Sequence, residues 1–211
     1  MSTAPDLAGL LERAVTGTAD DGGAEDRTRT RILDAALEEG ASVGVGRMTM
    51  EDVVRRSGLG RMTVYRRFSR RDELVEALVV REVQRFLHTV AEGLAAGETP
   101  EDRVAAAFVA SMRFVRSHPL LRRVATTEPG SVLETAAAQD RLVLRMGTDF
   151  IAAQLRRARP DDDDRALHRT ADLVARLYLT FLAMPPEDPD PRDDTALDAY
   201  AREVLMPLLL V

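Results

Sequence analysis

Apolar residues recur at intervals of three and four along most of this chain, and that spacing is the feature that most limits its fold. Ile32, Leu33, Ala36 and Leu37 begin the pattern, and residues 74–94 continue it over a long stretch. No segment of useful length alternates apolar and polar residues as a half-buried strand would. The sequence therefore predicts an all-α fold for its 211 residues.

Cap-forming residues and glycines divide this pattern into separate helices. A first helix from Arg27 fades among Gly40, Gly44 and Gly46. Later helix starts are predicted at Thr49 with Asp52, Ser69 with Asp72, Thr99 before Pro100, Ser131 with Glu134, and Asp193 before Asp194 and Thr195.

The net charge of −6 conceals a basic segment in the first half of the chain. Residues 27–85 carry 13 arginines and 9 acidic residues, whereas the segments on either side each have a net charge of −5. Between Arg55 and Arg71 there are seven arginines and no acidic residue. A basic segment in an acidic protein indicates an anionic partner, although a solvated arginine face explains the charge alone equally well.

Two short helices joined by a glycine-containing turn lie inside this basic segment. The first spans Thr49–Ser57 and the second spans Arg61–Phe68, with Gly58 and Gly60 between them. This is the arrangement of a helix-turn-helix, in which the second helix enters the major groove of DNA. Because an α-helix fits that groove and its first-turn side chains reach base edges, we expect double-stranded DNA as the partner.

Side chains of the second helix have the chemistry to read DNA. Arg61 can bind the O6 and N7 atoms of guanine, whereas Met62 and Thr63 can touch the methyl group of thymine. Tyr65 and Arg66 share the outward face and can reach phosphates. The predicted DNA contacts, hydroxyl donors to phosphate included, are Thr49, Arg61, Met62, Thr63, Tyr65, Arg66, Arg67 and Arg70.

Three segments together carry a resemblance to a known family. They are Arg31–Leu37, Thr49–Phe68 with its glycine turn, and Arg70–Leu74, which follows the pair Tyr65-x-x-Phe68. Over about residues 27–87 the chain resembles the DNA-binding domain of TetR-family transcriptional regulators. Gly40 departs from the family pattern, because a large apolar residue usually closes the first helix there, which predicts a looser corner. Gly60 replaces a capping serine, and glycine caps a helix at a cost of only a few tenths of a kcal/mol.

The resemblance implies an N-terminal three-helix DNA-binding domain, joined by a long helix to an all-α effector and dimerisation domain. We place the first domain at residues 26–87, with its helix-turn-helix at about 49–68, and the second at residues 88–211. Residues 1–25 lack sustained periodicity, so we expect a mobile tail. The implied function is a sequence-specific repressor that binds a palindromic operator as a homodimer and is released by a small-molecule effector.

The helix predicted over residues 165–184 supports dimerisation from its own composition. Between Leu173 and Leu182 its polar residues are Arg176 and Thr180, so it is apolar nearly all round and needs cover on two sides. A partner subunit is one possible cover, and the core of a single chain is the other. The expected interface residues are Leu173, Leu177, Phe181, Leu197, Val204 and Leu208.

Aromatic and methionine side chains at helical spacing are the candidates for an effector pocket, with ordinary core packing as the alternative for each. The candidate apolar lining is Phe108, Met112, Met146, Phe150, Tyr178 and Phe181, and the candidate polar anchors are Arg113 and His118.

The sequence lacks the residues that several other classes of function need. The chain has no cysteine, which excludes disulfide and thiolate chemistry. We find no catalytic motif, so no enzyme is expected. His88 and His168 have no second histidine one helical turn on, so we expect no metal or cofactor. Asp161–Asp164 can be interpreted as a cation site, but a helix N-terminal cap explains the run better.

The sequence also gives an expectation for the cellular location and leaves one alternative function open. No apolar run reaches the length of a membrane span and no secretory signal is visible, so we expect a cytoplasmic protein. The alternative function is a helical protein-interaction adaptor that retains the fold without an effector response.

Overall fold

The structure is a computed structural model that describes residues 24–127, 141–184 and 187–210. These ranges contain α-helices and no β-strand, which confirms the all-α prediction. The helices are α1 (Ala24–Val43), α2 (Met50–Ser57), α3 (Arg61–Arg67), α4 (Arg71–Ala96), α5 (Pro100–Ser117), α6 (Pro119–Thr127), α7 (Leu142–Ala158), α8 (Asp164–Ala183), α9 (Asp194–Tyr200) and α10 (Met206–Leu210). A 3₁₀ turn at Val45–Arg47 precedes α2, and a wider π-type turn at Ala201–Leu205 joins α9 to α10.

Helix starts follow local capping chemistry at most of the predicted positions. Thr49 and Thr99 each form a full capping box with the aspartate three residues on. Asp193 caps α9, and Asp163 caps α8 by accepting a bond from the backbone N–H of Ala166. The acidic run therefore acts as a helix cap. The predicted tail, except for its last two residues, and the predicted cap pair Ser131–Glu134 lie outside the described residues.

The predicted cap pair of Ser69 and Asp72 is wrong. Helix α4 begins at Arg71, and Ser69 bonds Glu73 instead. Both the backbone N–H and the hydroxyl of Ser69 donate to Oε2 of Glu73, at 3.0 and 3.1 Å. The longer glutamate side chain reaches back past the start of the helix, so the pairing is shifted by one residue.

Helices α1 to α3 and the first turns of α4 enclose a small core of their own. Each helix contributes side chains that are fully or almost fully buried: Ile32, Leu33 and Ala36 from α1, Val53 from α2, Val64 from α3, and Leu74 and Leu78 from α4. Phe68 closes this core after α3. The helix-turn-helix is thereby fixed to α1 on one side and to α4 on the other.

The corner at Gly40 is filled by neighbouring side chains, and α1 continues through it to Val43. A Cβ at Gly40 would lie 3.3 Å from Cγ2 of Val45 and 3.6 Å from Cδ1 of Leu120. The looser corner expected from the sequence is therefore absent, because Leu120 of α6 packs where a larger side chain at position 40 would otherwise lie.

Two further apolar clusters lie among the C-terminal helices, and one of them includes the remainder of α4. Leu87 of α4 packs with Met146 and Phe150 of α7. Phe108 of α5 packs with residues of α8 and α9. The ring of Tyr178 connects the two clusters, because it meets Phe86 edge-on at 6.3 Å and Phe108 at 6.0 Å between centroids. Within the described ranges, no helix has both the length and the apolar character needed to cross a bilayer.

Candidate DNA-recognition surface

The turn between α2 and α3 is fixed by backbone conformation and by one long side chain. Gly58 adopts the left-handed conformation, with φ of 62°, which glycine reaches without a Cβ clash. Nε of Arg31 donates to the carbonyl oxygen of Ser57 at 2.7 Å, which ties α1 to this turn. Gly60 caps α3 without a side-chain hydrogen bond, as expected for glycine.

The start of α3 is open to solvent on its outer side. Arg61 is exposed, and Met62 is 81% exposed, an unusual position for a large apolar side chain. Thr63 and Tyr65 are half-buried, and Val64 faces the core. Arg61 and Met62, which are predicted to read bases, therefore lie on the exposed side of a helix whose inner side packs on the core.

Several arginines of the basic segment already have partners within the chain. Arg55 pairs with Asp52 at 2.6 Å, and Arg56 pairs with Glu39 at 2.7 Å. Arg71 donates to the backbone carbonyl of Met48 at 2.8 Å. These cations hold α2 and α4 in place, so the arginine count overstates the charge available to DNA.

Two of the predicted phosphate contacts keep their charge unpaired. Arg66 and Arg70 are exposed, and no hydrogen bond or ion pair joins either side chain to another described residue. Thr49 differs, because its hydroxyl donates to Oδ2 of Asp52 at 2.6 Å within the capping box. Because the Thr49 hydroxyl already donates its proton to Asp52 in the DNA-free protein, Thr49 is a weaker candidate for donation to phosphate than the sequence suggests.

Glu51 belongs to this surface, and the sequence analysis did not identify it. Its Oε1 atom accepts a hydrogen bond from the Tyr65 hydroxyl at 2.8 Å and lies 3.1 Å from Nη2 of Arg61. The hydrogen bond from Tyr65 holds the pKa of Glu51 below its ordinary value and raises the pKa of Tyr65. Positions 51, 61 and 65 lie on two helices separated by a turn, so no local spacing signals the contact.

The predicted apolar pocket residues fill the core of the C-terminal helices. Phe108 and Met112 lie in the cluster shared by α5, α8 and α9, whereas Met146 and Phe150 lie in the cluster against α4. Tyr178 lies between the clusters, and burial raises its pKa to about 12. The neighbouring Ser111 side chain, which the sequence analysis overlooked, is fully buried, and its hydroxyl donates to the carbonyl oxygen of Phe108 at 2.6 Å.

The two predicted polar anchors point to different places. Arg113 is exposed and pairs with Asp194 at 2.7 Å. It lines an open surface groove of about 580 Å³, together with Thr89, Ala110, Phe114, Arg116 and Ser117. His118 is buried, stacks on Phe114 at 5.1 Å, and lies 3.0 Å from Oε2 of Glu82. His118 therefore belongs to the junction between α4 and α5.

The predicted dimer-interface residues divide into core and surface positions. Phe181 and Leu197 are 9% and 1% exposed and pack inside one chain, which makes them core residues and not surface for a partner. Leu177 is half-buried against the same cluster. Leu173 is 59% exposed and Val204 is 40% exposed. The side chain of Leu208 is not among those that the structure describes.

Two sequence profiles together match most of this chain, and curated relatives match it over a similar length. The profile described as "Bacterial regulatory proteins, tetR family" matches residues 32–78. The profile described as "Bacterial Tetracyclin repressor, C-terminal domain" matches residues 100–202. An uncharacterised HTH-type transcriptional regulator of Mycobacterium tuberculosis is 27% identical over 184 residues, which cover 85% of this chain and 84% of that protein.

Solved structures share the fold. The TetR family repressor AlkX of Dietzia sp. strain DQ12-45-1b, implicated in biodegradation of n-alkanes, superposes with a TM-score of 0.65 at 22% identity, covering 85% of this chain and 96% of AlkX. SmeT, the repressor of the Stenotrophomonas maltophilia multidrug efflux pump SmeDEF, superposes with a TM-score of 0.59 at 22% identity, covering 85% of this chain and 88% of SmeT. The SmeT–triclosan complex superposes with a TM-score of 0.54 at 26% identity, covering 82% of this chain and 89% of SmeT.

A helix-turn-helix mounted on an all-α scaffold defines a DNA-binding transcriptional regulator. The two matched profiles account for both parts of the scaffold. The chain belongs to the TetR family of bacterial transcriptional regulators. Proteins of this family are transcription factors and not enzymes.

Proposed function

We propose that this protein is a transcriptional repressor that binds a palindromic operator as a homodimer in the cytoplasm. A small-molecule effector bound among the C-terminal helices then releases it. The observation that carries the proposal is the exposed start of α3, where Arg61 and Met62 face solvent. The nearby Arg66 and Arg70 have no charge partner among the described residues. In a chain of net charge −6, this local surface is suited to a polyanion.

Arg61 and Met62 supply the proposed base contacts. A guanidinium binds guanine through two parallel hydrogen bonds, and an apolar side chain contacts the thymine methyl group. Arg66 and Arg70 supply phosphate contacts, which fix the orientation of α3 on the duplex but carry no sequence information. Arg67 and Thr63 complete the proposed contact surface on the same helix.

Leu173 and Val204 are the proposed centre of the dimer interface, with Leu177 at its inner edge. Both side chains are large, apolar and exposed, and in a contiguous patch such side chains favour cover by another protein surface. A two-fold dimer also places two recognition helices on successive major grooves, about 34–36 Å apart. The proposed interface therefore omits Phe181 and Leu197, which the core of one chain already uses.

The effector is proposed to bind among the aromatic residues where α4, α5 and α8 meet. Phe86, Phe108 and Tyr178 offer edges and faces for an apolar ligand, and the Tyr178 and Ser111 hydroxyls offer polar contacts. SmeT is described in complex with triclosan, an apolar aromatic compound, so triclosan is a reasonable first probe. Ligand in this position would shift α4, and with it the separation of the two recognition helices; such coupling is typically about 1–3 kcal/mol.

Selection of bound sequences from random duplex DNA tests the proposal. We expect a two-fold symmetric sequence, and we expect affinity for it to fall steeply with added salt because phosphate contacts release counterions. Triclosan is then titrated into the preformed complex to measure release. A protein that binds no duplex at low salt, or whose binding ignores salt, would contradict the proposed function and favour the adaptor alternative.

A further inference from the structure

Glu51 places a negative charge inside a surface that must approach a polyanion. Its side chain is 58% exposed, at the start of α2 and beside Arg61. A carboxylate in this position repels phosphate, so it weakens binding to all DNA unless its contacts contribute something else.

One carboxylate oxygen joins two side chains of α3 that are predicted to touch DNA. The Tyr65 hydroxyl donates to Oε1 of Glu51 at 2.8 Å, and Nη2 of Arg61 lies 3.1 Å from the same atom. The Arg61 guanidinium also lies over the Tyr65 ring, 5.2 Å from its centroid. Tyr65 in turn packs on the core of the DNA-binding domain. The three side chains therefore form a closed set of contacts that links α2 to α3.

This set holds Arg61 without using up its capacity to bind a base. A guanidinium has five N–H donors in a rigid plane, and the ion pair with Glu51 engages one nitrogen. Other N–H groups remain free for O6 and N7 of guanine. Holding a long side chain before DNA arrives reduces the ordering cost that binding would otherwise carry. The benefit is greatest for the base that fits the held geometry.

We infer that Glu51 is a positioning residue for base reading, which holds Arg61 and Tyr65 in the geometry that contacts DNA while making no DNA contact itself. The inference rests on the proposed function. Glu51 lowers affinity for DNA in general and raises discrimination between sequences. A residue that only stabilised the fold would not lower general DNA affinity while raising discrimination. The opposite directions of these two effects therefore distinguish positioning from a role in stability alone.

The test compares binding of the selected duplex and of a scrambled duplex by three full-length variants. Glu51→Gln keeps an acceptor oxygen for Tyr65 but loses the charge, and Glu51→Ala loses both. Glu76→Gln, at an exposed glutamate of α4, removes one negative charge from the same domain and is the matched control. We expect Glu51→Ala to bind the scrambled duplex more tightly than wild type, and its preference for the selected duplex to fall about five- to tenfold. Glu51→Gln should lie between wild type and Glu51→Ala.

A titration of the Tyr65 phenol checks the contact without DNA. The difference in ultraviolet absorbance between each protein and its Tyr65→Phe counterpart isolates this tyrosine. Because the hydrogen bond to Glu51 raises the pKa of Tyr65, Glu51→Ala should ionise Tyr65 at lower pH than wild type does. Unchanged ionisation would overturn the inference.

The DNA measurements separate failure of the inference from failure of the proposed function. A wild type that prefers the selected duplex, with Glu51 variants that keep the preference within about twofold, overturns the inference alone. An equal loss in Glu76→Gln assigns the effect to net charge and also overturns it. A wild type that prefers no duplex overturns the proposed function and the inference together.

Discussion

Arg61 is the residue on which sequence reading by this protein is proposed to depend most. It is the first residue of α3, it is exposed, and its guanidinium is held at 3.1 Å from Glu51. Arg70 is also exposed, but it lies outside α3. The roles proposed for the two arginines therefore differ: Arg61 reads a base, and Arg70 attracts phosphate.

Arg61→Ala should relax sequence preference at a cost of about 1–3 kcal/mol for the selected duplex. Arg70→Ala is the comparison, because loss of a phosphate contact weakens binding to all duplexes alike and lowers the salt slope by about 1. Competition titrations with selected and scrambled duplexes at several salt concentrations measure both quantities. If Arg61→Ala keeps the wild-type preference, the recognition face has been placed wrongly.

Glu82 is a buried carboxylate at the junction of the two domains. Burial alone raises its pKa, but the hydrogen bond with His118 and the charges of Arg81 and Arg85 outweigh burial and hold the pKa below its ordinary value. Arg81 bonds Oε1 of Glu82 at 2.7 Å and also reaches Asp34 of α1 at 2.8 Å. The contacts of Glu82, Arg81 and His118 thus link α1, α4 and the start of α6.

Glu82→Gln should lower the free energy of unfolding at pH 7 by about 3 kcal/mol, because arginines that lose a buried partner are left poorly compensated. The folded pKa of Glu82 lies below the ordinary 4.5, so its contribution is fully present above about pH 4.5 and is lost as pH falls through the folded pKa. Urea unfolding between pH 3 and pH 7 should show the difference from wild type shrinking in acid. Glu76→Gln, at an exposed site, should show little difference at any pH, and a pH-independent effect of Glu82→Gln would contradict the assignment.

At the scale of helices, the crossing of α4 and α5 requires a small residue at position 93. A Cβ at Gly93 would lie 2.6 Å from Cα of Ala107 and 2.9 Å from its backbone nitrogen. Backbone atoms cannot move aside as a flexible side chain can, so any larger residue must separate the helices. Under the proposed function, motion of α4 would reach the effector region through this crossing, so its geometry would affect that function as well as stability.

Gly93→Ala should destabilise the protein by about 1–3 kcal/mol, despite the higher helix propensity of alanine. Gly46→Ala is the matched control, because nothing lies within 4 Å of the Cβ that it would add. Urea unfolding of both variants measures the difference. A Gly93→Ala variant as stable as wild type would show that α4 and α5 can separate without cost.

Most helices could be predicted because their signals are local. The caps predicted at Thr49 and Thr99 are confirmed, and each forms a capping box with the residue three positions on. The shift from Asp72 to Glu73 as the partner of Ser69 was not predictable, because two acidic residues follow each other and side-chain reach decides between them. Similarly, Gly40 gave no sign that Leu120, eighty residues later, occupies the adjacent space.

At the scale of the whole molecule, the exposed face of α8 decides whether the proposed dimer forms. Leu173 is 59% exposed on that face, whereas Ala171 and Ala175 on the other side are buried. A charge at position 173 would stay hydrated in a monomer but would be desolvated in an interface.

Leu173→Asp should shift the protein toward monomers and weaken operator binding, because each half-site is then bound without the other. Sedimentation velocity measures the oligomeric state, and titration with the selected duplex measures the affinity. Ala95→Asp introduces the same charge at an exposed position near the end of α4, outside the proposed interface, and should leave both unchanged. A dimer that persists in Leu173→Asp would exclude this face of α8.

The sequence by itself determined the all-α fold, the helix-turn-helix and the family, because helical periodicity, caps and a glycine turn act between residues only a few positions apart. The tertiary structure alone decided which charges of the basic segment are available and that Glu51 meets both Arg61 and Tyr65. It also assigned Phe181 and Leu197 to the core of one chain. These outcomes depend on distances between side chains of different helices. The identity of an apolar or charged residue in the sequence does not indicate which distant residue it contacts in the fold.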